Sequence, residues 1–266
     1  MAAGVLALVA VTGGAATAAV TLSTPSSAPQ PSQPSRPSQP GQPGRPASAA
    51  PAHPQRPLLA VVGASFSAGV GAGRPGRAWP EDLARIEHWR LALSADPGAG
   101  YISPGSGHRG PFARLAARLD LTRIDPNTII IQGGHDDIGR PLPLIRSRVE
   151  SLISAVHHEC PKSRLAVLTV FPRGNPSPAT VATDQAIVAA ARQADPAVIV
   201  FDPIASHWQF PRIGDQLHPT PAGHEWIAHR LAAGLRGPRP ARATQLTDRV
   251  RAAKPGNYLN THCHLG

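Results

Sequence analysis

The chain has 266 residues and a mass of 27.7 kDa, which is enough for one sizeable hydrophobic core and too little for two with long tails. Hydrophobic residues make up 41% and aromatic residues 4%, so aliphatic side chains must fill that core. The net charge of +10 would suit an anionic partner, but nearly all the basic residues are arginine and they form no compact block with interleaved aromatics. We therefore expect no nucleic-acid partner.

The N-terminal residues 2–20 are apolar or small and uncharged. Their length lies between that of a signal-peptide core and that of a membrane-spanning helix, and Ala16-Thr17-Ala18 resembles a signal-peptide cleavage site. No Lys or Arg precedes the apolar run, which departs from a normal signal. The sequence predicts a signal peptide or a membrane anchor over residues 1–21, and a product that is secreted or tethered to the membrane outside the cytoplasm.

Two further segments and two cysteines complete the domain organisation. Residues 22–57 are rich in Pro, Ser and Gln, which predicts a disordered linker, and residues 237–266 form a basic tail, so the folded domain is expected over 58–236. Cys160 and Cys263 suit an exported protein with one disulfide, but their spacing leaves the pairing open. Cys263 stands between two histidines without further spaced ligands, so we predict no metal site.

Short β-branched runs alternate with stretches of helical periodicity from residue 58 onwards. In chain order we predict a strand over 58–63, a helix over 78–89, a strand over 91–95, a helix over 111–119, a strand over 128–132, a helix over 142–158, a strand over 165–171, a helix over 178–193, a strand over 198–202 and a helix over 220–235. This alternation predicts an α/β fold in which a five-stranded parallel sheet is the middle layer of a three-layer α/β/α sandwich.

Three polar segments follow predicted strands and carry the candidate chemistry. Ser65 comes directly after the first strand, Gly133-Gly134-His135-Asp136 follows the third, and Asp215-Gln216-Leu217-His218 comes after the fifth. Because ligands of parallel α/β sheets bind beyond the carboxyl ends of the strands, we expect these segments to converge at one edge of the sheet.

A serine, a histidine and an aspartate are the parts of a nucleophilic hydrolase. Ser65 would attack, His218 would take its proton, and Asp215 would hold the imidazole. The alternatives are a helix N-cap for Ser65 and a surface loop with capping roles for Asp215–His218. Backbone amides of Ser65 and of Gly98 or Gly100, in a glycine-rich turn, could donate to the oxyanion.

Over residues 58–236 the chain resembles the SGNH hydrolases, also called the GDSL esterase/lipase family. Four segments carry the resemblance: Gly63-Ala64-Ser65-Phe66-Ser67 is similar to the Gly-Asp-Ser-Leu block, Gly100 (or Gly98) to the oxyanion glycine, Gly134-His135-Asp136-Asp137 to Gly-x-Asn-Asp, and Asp215-Gln216-Leu217-His218 to Asp-x-x-His. The resemblance implies a flavodoxin-like sandwich and a triad of Ser65, Asp215 and His218. It also implies an oxyanion hole of Ser65, Gly100 and Asp136, and ester hydrolysis with no metal or other cofactor.

The chain departs from the family pattern at two positions. Ala64 replaces the acid before the nucleophile, and Asp136 stands where the oxyanion asparagine is usual. Because an ionised carboxylate cannot donate a hydrogen bond, Asp136 could serve only if a raised pKa kept it protonated. Otherwise His135 or backbone amides must substitute. Asp137 is expected either to orient a loop or simply to be solvated.

Three more residues flank the candidate site. His224 lies on the last predicted helix and is expected to be a packed or capping histidine rather than a second base. Trp208 and Phe210 precede Asp215, and they either line an acyl pocket or fill the core.

The leading hypothesis is an exported serine esterase that hydrolyses small or carbohydrate-borne acyl esters. Its substrate would be a small-molecule, lipid or glycan ester. One alternative is an acyltransferase or deacetylase that modifies cell-surface glycans or lipids. The other is a catalytically inactive wall- or glycan-binding module, which Asp136 and the basic linker and tail would suit.

Overall fold

Residues 55–237, the part of the chain that the computed structural model describes, contain five strands and six helices. The strands are β1 (Leu58–Gly63), β2 (Arg90–Ala95), β3 (Thr128–Gln132), β4 (Arg164–Leu168) and β5 (Ile199–Phe201). The helices are α1 (Trp79–Ile86), α2 (Phe112–Ala117), α3 (Leu121–Ile124), α4 (Leu142–Glu159), α5 (Pro178–Ala194) and α6 (Pro221–Arg236), with a 3₁₀ turn at His135–Asp137. The segment over 1–21, nearly all of the linker and the tail after Gly237 lie outside the described residues. Among the helices of residues 55–237, none has the length and apolar character needed to cross a membrane.

The strands form one parallel sheet in the order β2-β1-β3-β4-β5. The last residues of neighbouring strands stand in register: Gly63 pairs with Ala95 and Gln132, Gln132 pairs with Leu168, and Leu168 pairs with Phe201. The segments that follow the strands therefore start from one common edge. The predicted fold class, a five-stranded parallel α/β/α sandwich, is confirmed.

The core divides into two layers because successive strand residues face opposite sides of the sheet. On one side, Val62 and Ile131 pack with side chains of α2, α4 and α5. On the other side, Val61 and Ile130 pack with side chains of α1 and α6. Every residue of β1 and β3 is buried, which is why these two strands appear in the sequence as continuous apolar runs.

The strand predicted over 165–171 ends early, at Leu168. Its neighbour β5 ends opposite it at Phe201, and the Val170 N–H donates instead to the Asp184 carboxylate at 3.3 Å. The apolar residues beyond Leu168 are therefore buried without being paired in the sheet. The apolar character of the sequence does not distinguish a buried residue that is paired in the sheet from a buried residue that is not.

The helix predicted over 78–89 also ends early, at Ile86. His88 takes a left-handed backbone conformation with φ 56°, and the Trp89 N–H donates back to the Ala84 carbonyl at 2.8 Å, which closes the helix end. The sequence did not predict α3 or the 3₁₀ turn, because neither is long enough to show a helical period.

Candidate active site

The turn directly after β1 carries Ser65 and is held by hydrogen bonds of its own backbone. The Ala68 N–H donates to the Ala64 carbonyl at 2.9 Å, and the Val70 N–H donates to the Ser65 carbonyl at 3.0 Å. Ser65 itself is half-buried, so its hydroxyl can be reached from outside. Among the described residues, nothing accepts a hydrogen bond from the Ser65 N–H.

Gln132, the last residue of β3, holds this turn in place through its side chain. Its Oε1 accepts a hydrogen bond from Ser67 Oγ at 2.7 Å and from the backbone amides of Ser67 and Ala64 at 3.2 and 3.3 Å. Gly63 leaves the room for this contact, since a Cβ at that position would lie 2.1 Å from Ser67 Oγ. Gln132 was not among the predicted site residues, although a single amide at the end of a buried aliphatic strand indicates such a role.

The loop that enters α6 presents Asp215 and His218 together. Oδ1 of Asp215 accepts hydrogen bonds from the Leu217 and His218 amides, both at 2.9 Å, and Gln216 takes a left-handed conformation with φ 60° between them. The Ile213 N–H donates to the His218 carbonyl at 2.9 Å, which closes the loop. The chain thus folds back so that a carboxylate and an imidazole three residues apart face each other.

A continuous chain of hydrogen bonds joins Ser65, His218 and Asp215. His218 Nε2 lies 2.8 Å from Ser65 Oγ, and His218 Nδ1 lies 2.5 Å from Asp215 Oδ2. Because a carboxylate only accepts, Nδ1 carries the proton and Nε2 is left to accept from the serine hydroxyl. The structure brings the three predicted residues together across 153 residues of sequence.

Asp215 is electrostatically suited to hold this tautomer. Burial acts to raise the pKa of Asp215, but the hydrogen bonds from the His218 side chain and from the Leu217 and His218 amides outweigh burial and lower the pKa to about 2. Asp215 is therefore ionised at neutral pH and can stabilise an imidazolium formed at His218.

An aromatic cluster packs behind the nucleophile. The Phe66 ring stacks on Phe171 with 4.3 Å between ring centroids and lies 5.4 Å from the His218 ring. Phe210 contacts both phenyl rings edge-on. Trp208 is 5% exposed and belongs to the same core layer, although its edge also lines a surface pocket. Trp208 is thus a core residue that also reaches a pocket, and Phe210 is a partly buried residue that packs against the same core layer.

Asp137 orients the loop that follows β2. Its fully buried carboxylate accepts hydrogen bonds from the amides of Tyr101, Ile102 and Ser103 at 2.6, 3.2 and 3.0 Å. The expectation that Asp137 orients a loop is confirmed. A carboxylate that accepts three N–H donors is well stabilised, so its burial is compensated.

Asp136 has a different environment from its neighbour. Burial raises the pKa of Asp136, and the nearby charge of Asp137 raises it further, while the charges of His135 and His218 oppose the shift. Asp136 lies in the 3₁₀ turn after β3, at the sheet edge from which the Ser65 turn also starts. The His135 Nδ1 lies 3.0 Å from the Phe171 carbonyl and donates to it.

The two candidate oxyanion glycines also differ. The Gly100 N–H already donates to the Ser103 carbonyl at 2.9 Å, and a Cβ at Gly100 would lie 2.3 Å from the Asp137 carboxylate. Gly98 has a left-handed φ of 78°, and its N–H meets no acceptor among residues 55–237. Gly100 is therefore required for the close approach of Asp137, whereas Gly98 retains an available donor.

His224 is a structural residue, as expected. It is fully buried, its Nδ1 accepts from the Trp79 N–H at 3.2 Å, and its Nε2 donates to the Val70 carbonyl at 3.0 Å. It thereby caps the first residue of α1. Burial lowers the pKa of His224, consistent with a neutral ring.

Two other expectations concern cysteines and metal ligands. Cys160 is buried and forms no disulfide within residues 55–237, while Cys263 lies outside that range, so a pairing between them stays a prediction. Within residues 55–237, no three His, Cys, Asp or Glu side chains are grouped as metal ligands.

A parallel α/β/α sandwich with a serine, a histidine and an aspartate at one edge of its sheet is typical of hydrolases of the SGNH type. Residues 61–226 match the model of the GDSL-like lipase/acylhydrolase family. The chain belongs to this family, and its recognition from the sequence motifs is confirmed. It is similar to "GDSL lipase Rv0518" of Mycobacterium tuberculosis, with 31% identity over 189 residues that cover 65% of this chain and 79% of the relative.

Solved structures of carbohydrate esterases share the fold at low sequence identity. A family two carbohydrate esterase from Clostridium thermocellum, in complex with cellohexaose, is 16% identical with a TM-score of 0.53, covering 69% of this chain and 65% of that one. The acetyl xylan esterase Est2A from Butyrivibrio proteoclasticus is 14% identical with a TM-score of 0.53, covering 68% and 64%. At such identity the likeness concerns the fold.

Proposed function

We propose that the chain is a serine esterase that hydrolyses carboxylic esters through Ser65, His218 and Asp215. The observation that carries the proposal is the unbroken hydrogen-bond chain from Ser65 Oγ through His218 to Asp215. A serine hydroxyl is a weak nucleophile unless a base lies within hydrogen-bond reach and a third group holds that base. His218 is the base within reach of Ser65, and Asp215 is the group that holds His218.

The reaction follows from these contacts. Ser65 Oγ attacks the ester carbonyl while its proton passes to His218 Nε2, and ionised Asp215 stabilises the imidazolium. The His218 proton then passes to the alkoxide leaving group, which departs as the alcohol. Water activated by His218 hydrolyses the acyl-enzyme by the same steps in reverse order.

The oxyanion of the tetrahedral intermediate needs donors at the position where its charge develops. The amides of Ser65 and Gly98 are the donors that we assign, since neither is used by the described residues. Asp136 would add a third donor whenever its carboxyl is protonated, and the raised pKa of Asp136 favours that state.

We further propose that the substrates carry small or carbohydrate-borne acyl groups and that the enzyme acts outside the cytoplasm. The carbohydrate esterases with the same fold support the first point, and the apolar run over residues 2–20 supports the second. Fractionation of cells that produce the full chain tests export: activity confined to the cytosol would refute it.

The test of the catalytic assignment is Ser65→Ala, assayed on p-nitrophenyl esters graded by acyl length. We expect hydrolysis to fall to background while the thermal midpoint of unfolding is unchanged. The matched control is Ser154→Ala on the exposed face of α4, which should keep full activity. Wild-type activity in Ser65→Ala would sink the proposal.

A fluorophosphonate probe provides a second readout of the same assignment. It should label the wild type at Ser65 and leave Ser65→Ala unlabelled. A wild type that resists the probe would instead favour the inactive binding module. Product analysis with a sugar acceptor competing with water separates hydrolysis from acyl transfer.

A further inference from the structure

A surface pocket of roughly 440 Å³ opens between the loop after β4 and the loop after β5. Its lining includes Pro172, Asn175, Gln209 and Arg212. These loops leave the sheet at the same edge as the Ser65 turn, and Arg212 in the pocket lining forms a β-bridge with Pro219, the residue after His218. Nothing in the reaction described above uses this pocket.

Arg212 connects the pocket to the loop of the candidate base. Its Nη1 donates to the Gln216 carbonyl at 3.4 Å, between Asp215 and His218, and its guanidinium lies 4.7 Å from the centroid of the Phe210 ring. Nε is buried without a hydrogen-bond partner, and Arg212 forms no ion pair with any described residue. Arg212 is therefore a half-buried cation without a counter-ion.

The other lining side chains do not neutralise that charge. The described lining contains no Asp or Glu, and its polar side chains beside Arg212 are the amides of Asn175 and Gln209, the imidazole of His207 and the indole of Trp208. Burial lowers the pKa of Arg212, which shows that the surroundings disfavour its charge, yet a guanidinium keeps its proton at neutral pH. An anion bound in the pocket would relieve this unfavourable arrangement.

The position of the pocket indicates which part of an ester would enter it. The leaving alcohol must take its proton from His218 Nε2, so the alcohol portion lies on the His218 side of Ser65. Arg212 belongs to the loop that carries His218 and contacts it through the Gln216 carbonyl. A group on the alcohol portion is therefore the part of the substrate nearest to Arg212.

We propose that this pocket binds a carboxylate on the alcohol portion of the substrate and that Arg212 selects acidic sugars, such as acetylated uronic acids, over neutral ones. The proposal rests on the esterase function proposed above. A carboxylate is favoured over a phosphate because Arg212 is the one permanently charged side chain in the described lining, and it balances a single negative charge. The side-chain amides of Asn175 and Gln209 can bind the neighbouring hydroxyl groups of a sugar.

The test compares acetylated methyl glucuronoside with acetylated methyl glucoside, which differ only in a carboxylate against a hydroxymethyl group. With the full-length wild type, we expect kcat/KM to favour the acidic sugar by about 10- to 100-fold, the usual range for a hydrogen bond to a charged group. In Arg212→Met this ratio should fall to near one, and Arg212→Lys should keep part of it. The matched control is Arg173→Met, an exposed arginine of the neighbouring loop that does not line the pocket, and it should retain the ratio.

Three results would overturn the proposal. If Arg212→Met keeps the wild-type ratio of kcat/KM between the acidic and the neutral sugar, the pocket does not recognise the carboxylate. An equal loss on both sugars would mean that Arg212 acts only by holding Gln216 and the base loop. A wild type that prefers acetylated methyl glucoside 6-phosphate over the uronide would refute the carboxylate assignment.

A binding measurement separates this proposal from the esterase function. Methyl glucuronoside, the alcohol product, is titrated by NMR into Ser65→Ala and into the double variant Ser65→Ala, Arg212→Met. Binding to the first and at least about tenfold weaker binding to the second supports the pocket even if no ester is hydrolysed. Hydrolysis of esters together with equal binding by both proteins refutes the pocket and leaves the esterase standing.

Discussion

Replacing Asp136 by asparagine should make the enzyme faster at alkaline pH. Asp136 stands at the edge that holds Ser65 and interacts electrostatically with His218. When ionised, its carboxylate offers no donor to the oxyanion and repels it. An asparagine amide donates at every pH. One oxyanion donor is worth about 10²–10³ in kcat, so we expect Asp136→Asn to raise kcat by up to about 100-fold where Asp136 is fully ionised.

The gain should depend on pH in a definite direction. Burial raises the pKa of Asp136, and above that pKa the protonated fraction falls tenfold for each pH unit. The advantage of Asp136→Asn should therefore grow as pH rises and approach a factor of one at acid pH. The assay is kcat for p-nitrophenyl acetate from pH 5 to 9, with the spontaneous hydrolysis rate subtracted at each pH.

Asp136→Ala is the control, because it removes the charge without adding a donor. It should gain less than Asp136→Asn at high pH. If Asp136→Asn is slower than the wild type at every pH, the carboxylate itself is needed and the reasoning is refuted.

Three other substitutions test the supports of the site. Asp215→Asn should lower kcat about 10³- to 10⁴-fold with little change in thermal stability, because an amide can hold the wrong His218 tautomer. Gln132→Leu should lower the free energy of unfolding in urea by about 2–4 kcal/mol, since the Ser67 hydroxyl and amide lose their acceptor and the Ala64 amide keeps only the backbone carbonyl of residue 132. His224→Leu should cost about 2–4 kcal/mol at pH 7 in the same assay. Because burial lowers the pKa of His224 in the folded state, wild-type stability should fall as pH drops below the unfolded value of about 6.5, and His224→Leu should lack that part of the slope.

The sheet could be predicted because its central strands are buried on both faces. The predicted bounds of the first and third strands match β1 and β3. The prediction failed where residues are buried without being paired in the sheet. After Leu168, apolar residues continue into the core although the neighbouring strand has ended. The hydrophobic pattern of a sequence indicates burial, but it does not indicate pairing with a neighbouring strand.

The grouping of Ser65, Asp215 and His218 could be predicted because each follows from chain order plus one topological rule. Of the residues that hold the site, Gln132 was not predicted, and for Asp137 the role of orienting a loop was predicted but not the amides that it binds. Gln132 acts on a turn 65 residues away, and Asp137 acts on amides up to 36 residues away. In the sequence, Gln132 follows an apolar run and Asp137 ends the polar segment His135-Asp136-Asp137, and neither context identifies the distant amides that the residue binds.

Asp136 and Asp137 are neighbours with opposite surroundings, and this contrast sets how the enzyme should respond to pH. Asp137 accepts three backbone amides, whereas burial raises the pKa of Asp136. A donating Asp136 must be protonated, so the wild type should lose this donor as pH rises above the pKa of Asp136. An asparagine at position 136 should remove that alkaline loss, because its amide donates at every pH.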